Sequence, residues 1–413
     1  MAVSGVSPAL PPPRPACNHP TCGSKAMARA EFSTHRCTRG DKGPGKAYHF
    51  SNNDRPQKPA KDEAEHVFPH WHPFAGWHMI LGIPSAAGWL ALSDHPAPSA
   101  EPSLPLPQAQ FTLEIALPAA PGPVLLDLRS EDGLPRVFSV FHDPQIGLAV
   151  MQRQGDRLVR HLLRGPLPDR AGTARMTYGW DMAADRWTLT LTLPQGDVLR
   201  TEGTKPMAPR LSDLQTLCKP DARRHPSVLW FGVTRDAALP DAGPWIGMAT
   251  PVLTTQGLRP AGHLHPGDRI ETADNGPVTL LHVHRTLAPS RGSCAPVLLR
   301  AGYFQTRGDI LMSADQSVLY SGPATEYLFA EDEVLVPARH LVDGRAALWD
   351  DRRSVAVGLS LDLGTPELID CDGVLTCSHV APGLQMPRRT LDAFEAVPLM
   401  ALRDSRMAIR QRV

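Results

Sequence analysis

Side chains able to do covalent or metal chemistry are few in this sequence and widely spread. The cysteines are Cys17, Cys22 and Cys37 near the start, then Cys218, Cys294, Cys371 and Cys377. An odd count at wide spacing is not a disulfide framework. With His19 and His35, the stretches "CNHPTC" and "THRC" raise the question of zinc, but no second tight pair of ligands follows, as a structural zinc site usually requires. His263, His265, His282, His284 and His340 are the remaining candidates toward the C-terminus. His282 and His284 share one face of a strand, yet a catalytic zinc takes three protein ligands. The reading is therefore no metal and no cofactor. Glu114 and Asp127 stand in strand-like segments, and neither has a partner acid of the kind glycoside cleavage requires.

The chain has 413 residues, too many for one ordinary core and suited to two domains with tails. Lys+Arg 42 balance Asp+Glu 42, so no nucleic-acid or anionic-membrane partner is expected. Pro 43 against Gly 33 disfavours long helices and suits short strands joined by turns. The start, "MAVSGVSPALPPPRPAC", lacks the apolar core of a signal peptide. A reducing, cytoplasmic setting is the default, with non-classical export left open. The longest uncharged run, "PFAGWHMILGIPSAAGWLAL" at 73–92, carries two prolines, three glycines and a histidine. It reads as a buried strand around "GWLAL" rather than a membrane span.

Residues 1–73 lack sustained periodicity and read as a disordered tail. From 74 to 241 the pattern becomes alternation. "FTLEIAL", "VLLDLRS", "RVFSVFH", "IGLAVMQ", "RLVRHLL", "ARMTYGW", "RWTLTLTL", "DVLRTEG" and "VLWFGVT" follow one another between Pro, Gly and Asp turns. Many short strands at this spacing predict an antiparallel β-sandwich. With its "WDMAADRWTLTLT" hairpin the segment resembles the concanavalin-like or laminin-G-like sandwich. Trp180, Trp187 and Trp230 are expected to fill the space between sheets, the alternative being a platform for a sugar ring.

From 242 to 395 the pattern is again β, with sharper punctuation, and 396–413 reads as a tail with a short closing helix. "TPVLTTQGLRP" is a strand, a turn and a return; "HPGDRIET" places Gly267–Asp268 in a tight turn; Asn275–Gly276 marks a hairpin tip. With "DILMSADQSVLYSG" and "EVLVPARHLVDG", these motifs resemble the Hint domain shared by hedgehog autoprocessing domains and inteins, in particular its bacterial stand-alone branch. The resemblance implies a self-processing acyl shift. A cysteine at the domain's first position attacks the preceding carbonyl, and a histidine in a T-x-x-H block protonates the leaving amide nitrogen.

Carried over residue by residue, the family's pattern meets departures. Counting back from Thr250 and Val252 puts the first position at Trp245, and an indole forms no thioester. The T-x-x-H block falls on "SADQ", so Ser313 stands for the threonine and Gln316 for the histidine. A glutamine amide does not titrate near neutral pH. Asp362 fits the aspartate of a later Asp-x-His-Glu block, with no histidine within that block. Asn275 is the last asparagine, which excludes terminal asparagine cyclisation.

The combined reading is an all-β protein: an N-terminal antiparallel β-sandwich followed by a Hint-like all-β domain whose chemistry is degenerate, acting in binding or structure toward an unknown protein or glycan. The rivals are an active self-cleaving protein with its nucleophile elsewhere, and a carbohydrate-binding module working through the sandwich. Val278, Leu280 and either Val283 or Leu281 are expected to share a core with Val252, Ile270, Leu319 and Val336. The two domains are expected to melt independently.

Overall fold

The computed structural model describes residues 88–95 and 105–410, apart from 121, 131–132, 144, 169, 221, 236–238, 240–242, 305 and 382. All of them lie in one compact unit, Pro73–Val413. The Cys17, His19, Cys22, His35 and Cys37 cluster and the predicted tail lie outside the described residues. Of the uncharged run at 73–92, the described part contains a strand, Trp89–Leu92. Among the described residues no helix is long and apolar enough to cross a membrane.

The first half is a sandwich of two antiparallel sheets. Trp89–Leu92, Val228–Thr234, Gln108–Leu117, Gly172–Asp181, Arg186–Thr192 and Val198–Gly203 form a six-stranded sheet in that order. Val124–Ser130, Arg136–Asp143, Gly147–Gln154 and Arg157–Arg164 form a four-stranded meander. Alternation explains the packing. Phe111, Leu113 and Ile115 point inward from one strand and meet Leu126, Phe138, Val140 and Val150 from the other sheet in one cluster. A short helix, Leu211–Leu217, escapes the sequence reading because its seven residues show only two turns of periodicity. Arg136 and Asp213 tie it to the sandwich through a buried bidentate pair at 2.8 and 3.1 Å.

Among the polar groups buried in this half, His161 lacks a partner for one nitrogen. His161 is 4% exposed, its ring lies 4.1 Å from that of Trp187 and stacks on Tyr178, and its buried Nε2 has no hydrogen-bond partner. Burial pushes its pKa down from 6.5 to about 4. Between those values the unfolded chain binds a proton that the folded chain refuses. Stability is therefore present above the unfolded value and is lost as pH falls toward the folded one, by about 3 kcal/mol in all. Urea midpoints of wild type and His161→Phe, followed from about pH 7 to about pH 4, are expected to diverge by that amount. Parallel curves would assign the acid sensitivity to another group.

The second half is built from a six-stranded and an eight-stranded antiparallel sheet. The hairpin Arg269–Thr272 with Gly276–Thr279 pairs Thr272 with Gly276, so the tip is the three residues between them. Gly276 takes φ +64, whereas Asn275 spends its side chain differently, donating Nδ2 to the Glu367 carboxylate at 2.9 and 3.0 Å. Val252, Ile270, Leu280 and Val336 are fully buried, and Val278 and Val283 pack against them. Leu281 is exposed. Val318 rather than Leu319 enters the core, a one-residue shift of the expected face along Ser317–Ser321. The closing helix expected over "LDAFEAVPLMALRDSRMAI" is present as Ala393–Arg410 and inserts Ala396 and Leu399 into the same core despite Pro398.

The two halves are not separate bodies. The outer face of Gln108–Leu117 carries Thr112 and Glu114, both 0% exposed, and the second domain reaches Glu114 through Gly292 and Ser293. Glu114 accepts from Trp230 Nε1 at 2.8 Å, Arg175 Nε at 2.9 Å, and the Ser293 backbone N–H at 2.9 Å. Gly292, at φ +62, makes this approach possible: a Cβ there would lie 2.1 Å from Glu114 Oε2. Trp89 donates to the Leu287 carbonyl at 2.9 Å, and Leu92, Trp230 and Leu287 form a small apolar cluster between the domains. A desolvated polar clasp and its apolar surround join the two domains, so one shared unfolding transition is the expected result of calorimetry, in place of the independent melting expected from sequence.

Candidate functional site

Trp245, the residue that counting back from Thr250 and Val252 makes the expected first position, directly precedes Ile246–Gly247, a two-residue strand held between Ile310–Met312 and Val355–Asp362. So short a strand persists because it pairs on both edges, with Ile246 opposite Met312 and Leu359. Immediately before it, the Pro244–Trp245 peptide is gripped from two sides. Ser360 donates its hydroxyl to the Pro244 carbonyl, and the Trp245 N–H donates to Ser313 Oγ at 3.0 Å. The Ser313 N–H returns to the Trp245 carbonyl at 2.9 Å.

Trp245 is 2% exposed, and its indole occupies a slot made of small residues. Ala288 and Ala356 pack against it, and a Cβ on Gly358 would come within 2.3 Å of the ring. The neighbouring strands are thus shaped around an indole, not around a thiol.

Gln316 is buried in the turn that follows Ser313, with its N–H on the Ser313 carbonyl at 3.1 Å. Its amide Nε2 donates to Thr376 Oγ1 and, at 2.7 Å, to the Cys377 carbonyl. It therefore ties the turn to the strand Val374–Cys377. Thr250, also buried, places its hydroxyl near the Leu311 carbonyl at 3.4 Å and accepts the Ala261 N–H on its own carbonyl at 2.8 Å. Both residues hold loops in place. Asp362 accepts the Gly364 N–H at 2.8 Å and lies 3.8 Å from His284 Nε2. Of the five family positions, Trp245, Ser313 and Gln316 come together here, while Thr250 and Asp362 lie to either side.

Two neighbours were not legible from the family pattern: Ser360, which holds the Pro244 carbonyl, and His379. A cavity of about 10 Å³, scarcely one water, is lined by Pro244, Gln316, Ser360, Cys377 and His379. His379 Nδ1 is buried without a partner, and its ring lies 4.8 Å from that of His284. The spacing between His379 and the peptide in sequence, more than a hundred residues, hides this juxtaposition from any local motif.

No described thiol is a ready substitute nucleophile. The four described cysteines are free. Burial pushes the Cys377 thiol up to about 12, with the Glu367 carboxylate adding to it, and pushes Cys294 up to about 11, with Glu114 adding to it. Burial likewise raises Cys218 and Cys371. All stay protonated near neutral pH, and a thiol is a poor nucleophile. Among the described residues no group of three His, Cys, Asp or Glu side chains is placed to hold a metal ion.

Residues 248–381 match the family model of the Hint domain, so the C-terminal part of this protein is a Hint domain. Trp245 lies just before the matched span, and Thr250, Ser313, Gln316 and Asp362 lie within it. No curated protein sequence matches the chain. Among solved structures, the Ruminococcus gnavus IT-sialidase CBM40 bound to α2,6 sialyllactose overlaps at 11% identity and a TM-score of 0.25, covering 37% of this chain and 95% of that one. The basic winged bean lectin with Tn-antigen overlaps at 13% identity and a TM-score of 0.17, covering 32% of this chain and 63% of that one. Overlaps this loose carry no argument about ligand or activity.

Proposed function

We propose that this is a non-processing Hint-domain protein, in which the fold is kept as a rigid partner of the sandwich while the acyl shift has been lost. The observation that carries the reading is the Trp245 indole, buried in a slot that Gly358, Ala356 and Ala288 leave open. Acyl transfer begins with a nucleophile directly after the bond it attacks, and an indole offers none. Gln316 adds support, because its amide carries no exchangeable acid and is committed to Thr376 and Cys377. Ser360 donates to the Pro244 carbonyl and can polarise it, while Ser313 Oγ only accepts the Trp245 N–H; without a nucleophile that polarisation has nothing to stabilise.

The test is the intact mass of the purified full chain, incubated at neutral pH with dithiothreitol or hydroxylamine, either of which cleaves a thioester. A single species of full mass is expected. A fragment boundary between Pro244 and Trp245 would overturn the reading in favour of active self-processing.

A further inference from the structure

A cleft of about 510 Å³ opens where the two domains meet. Its apolar floor comes from Val228 and Leu229 on the sandwich side and Ala295 on the Hint side, and it is flanked by Arg291, Trp349 and Asp351. Trp349 is 48% exposed, whereas Trp180, Trp230 and Trp245 are each no more than 2% exposed. It stands on Ala347–Trp349, the edge strand of its sheet, where no neighbouring strand covers its outer side. An indole left open costs hydrophobic free energy unless something covers it.

The charges at this cleft are also uncommitted. Asp350 and Arg352 next door satisfy one another, with Nε to Oδ1 at 2.6 Å and Nη2 to Oδ2 at 3.0 Å. Arg291 and Asp351 make no ion pair or side-chain hydrogen bond with another described residue. We propose that this interdomain cleft is a saccharide-binding site, with Trp349 as the stacking platform and Asp351 and Arg291 as acceptor and donor for ring hydroxyls.

Three features select that ligand class. The volume falls in the range of small-molecule sites and suits one or two sugar rings. The apolar C–H face of a sugar covers an indole while its hydroxyls remain at the rim. A hydroxyl both donates and accepts, so a neutral polyol serves a carboxylate and a guanidinium at once. An anionic ligand would satisfy Arg291 and oppose Asp351; a cationic one would do the reverse. This site differs from the sandwich platform considered on sequence grounds, since Trp180 and Trp230 are buried. It also stands independently of whether the Hint domain processes itself.

The test applies labelled full chain to a printed array of neutral and acidic glycans. The strongest retained oligosaccharide is then titrated against wild type, Trp349→Ala and Asp351→Asn. Wild type is expected to retain a defined set of glycans with quenching or enhancement of its tryptophan fluorescence, and each variant to weaken binding by at least about tenfold. Both altered side chains are exposed, and unchanged melting temperatures would confirm that the variants fold. Should Trp349→Ala fail to fold, Asp351→Asn alone decides. An array on which wild type retains nothing overturns the proposal, as does retention that both folded variants keep at full strength.

Discussion

A chain carrying both Trp245→Cys and Gln316→His is expected to cleave before residue 245 when thiol is added, where the parent chain stays whole. The backbone for this chemistry is already in place. The Trp245 N–H, which would become the leaving amine, is held on Ser313 Oγ at 3.0 Å, and the Pro244 carbonyl is held by Ser360. Position 316 springs from the same turn as Ser313 and lines the same small cavity as Pro244, so an imidazole there would share that cavity with the bond to be cut. Removing the indole leaves a void beside Gly358, Ala356 and Ala288 and should cost about 3–5 kcal/mol, so folding is checked first by circular dichroism. Thiol-dependent fragments by mass spectrometry are the readout. A folded double variant that stays inert would place the first position of the domain elsewhere. Trp245→Cys alone is an informative arm, because cleavage in the single variant would identify His379, which lines the same small cavity, as the acid.

The second large effect concerns the clasp between the domains. Glu114→Ala is expected to destabilise the full chain by about 2–4 kcal/mol: the carboxylate is fully buried, whereas Arg175, left behind, is a third exposed and keeps part of its hydration. The loss comes less from one missing bond than from what remains. Trp230 Nε1 and the Ser293 N–H would be left without their acceptor, and Arg175 without its counter-charge, 2.8 Å away in the parent. Because the same group holds both domains, the one transition expected of the parent should separate into two. Calorimetry on the full chain reads both effects. An unchanged midpoint with one transition would mean that the apolar cluster around Trp230 and Leu287 couples the domains without the carboxylate.

The amino-acid sequence by itself determined the strands and most of their inward faces. Phe111, Leu113 and Ile115 alternate with polar neighbours and are all fully buried, and "VLLDLRS" and "VLWFGVT" are strands from end to end. The physical reason is local: side chains on a strand alternate faces, and Gly, Pro and Asp end each run. The Hint domain was legible in the same way, through ordered turns and strands. Only the tertiary structure decided what lies opposite those residues. Alternation marks Glu114 as outward, and it is outward from the sandwich; it is buried where Gly292 and Ser293 of the second domain meet that face. Nor does any local pattern foretell that Gly358 opens the slot for Trp245, that His379 comes beside Pro244, or that Trp349 stands uncovered at an interdomain cleft. These contacts join residues tens to more than a hundred positions apart, and packing between sheets, not periodicity within a strand, brings them together.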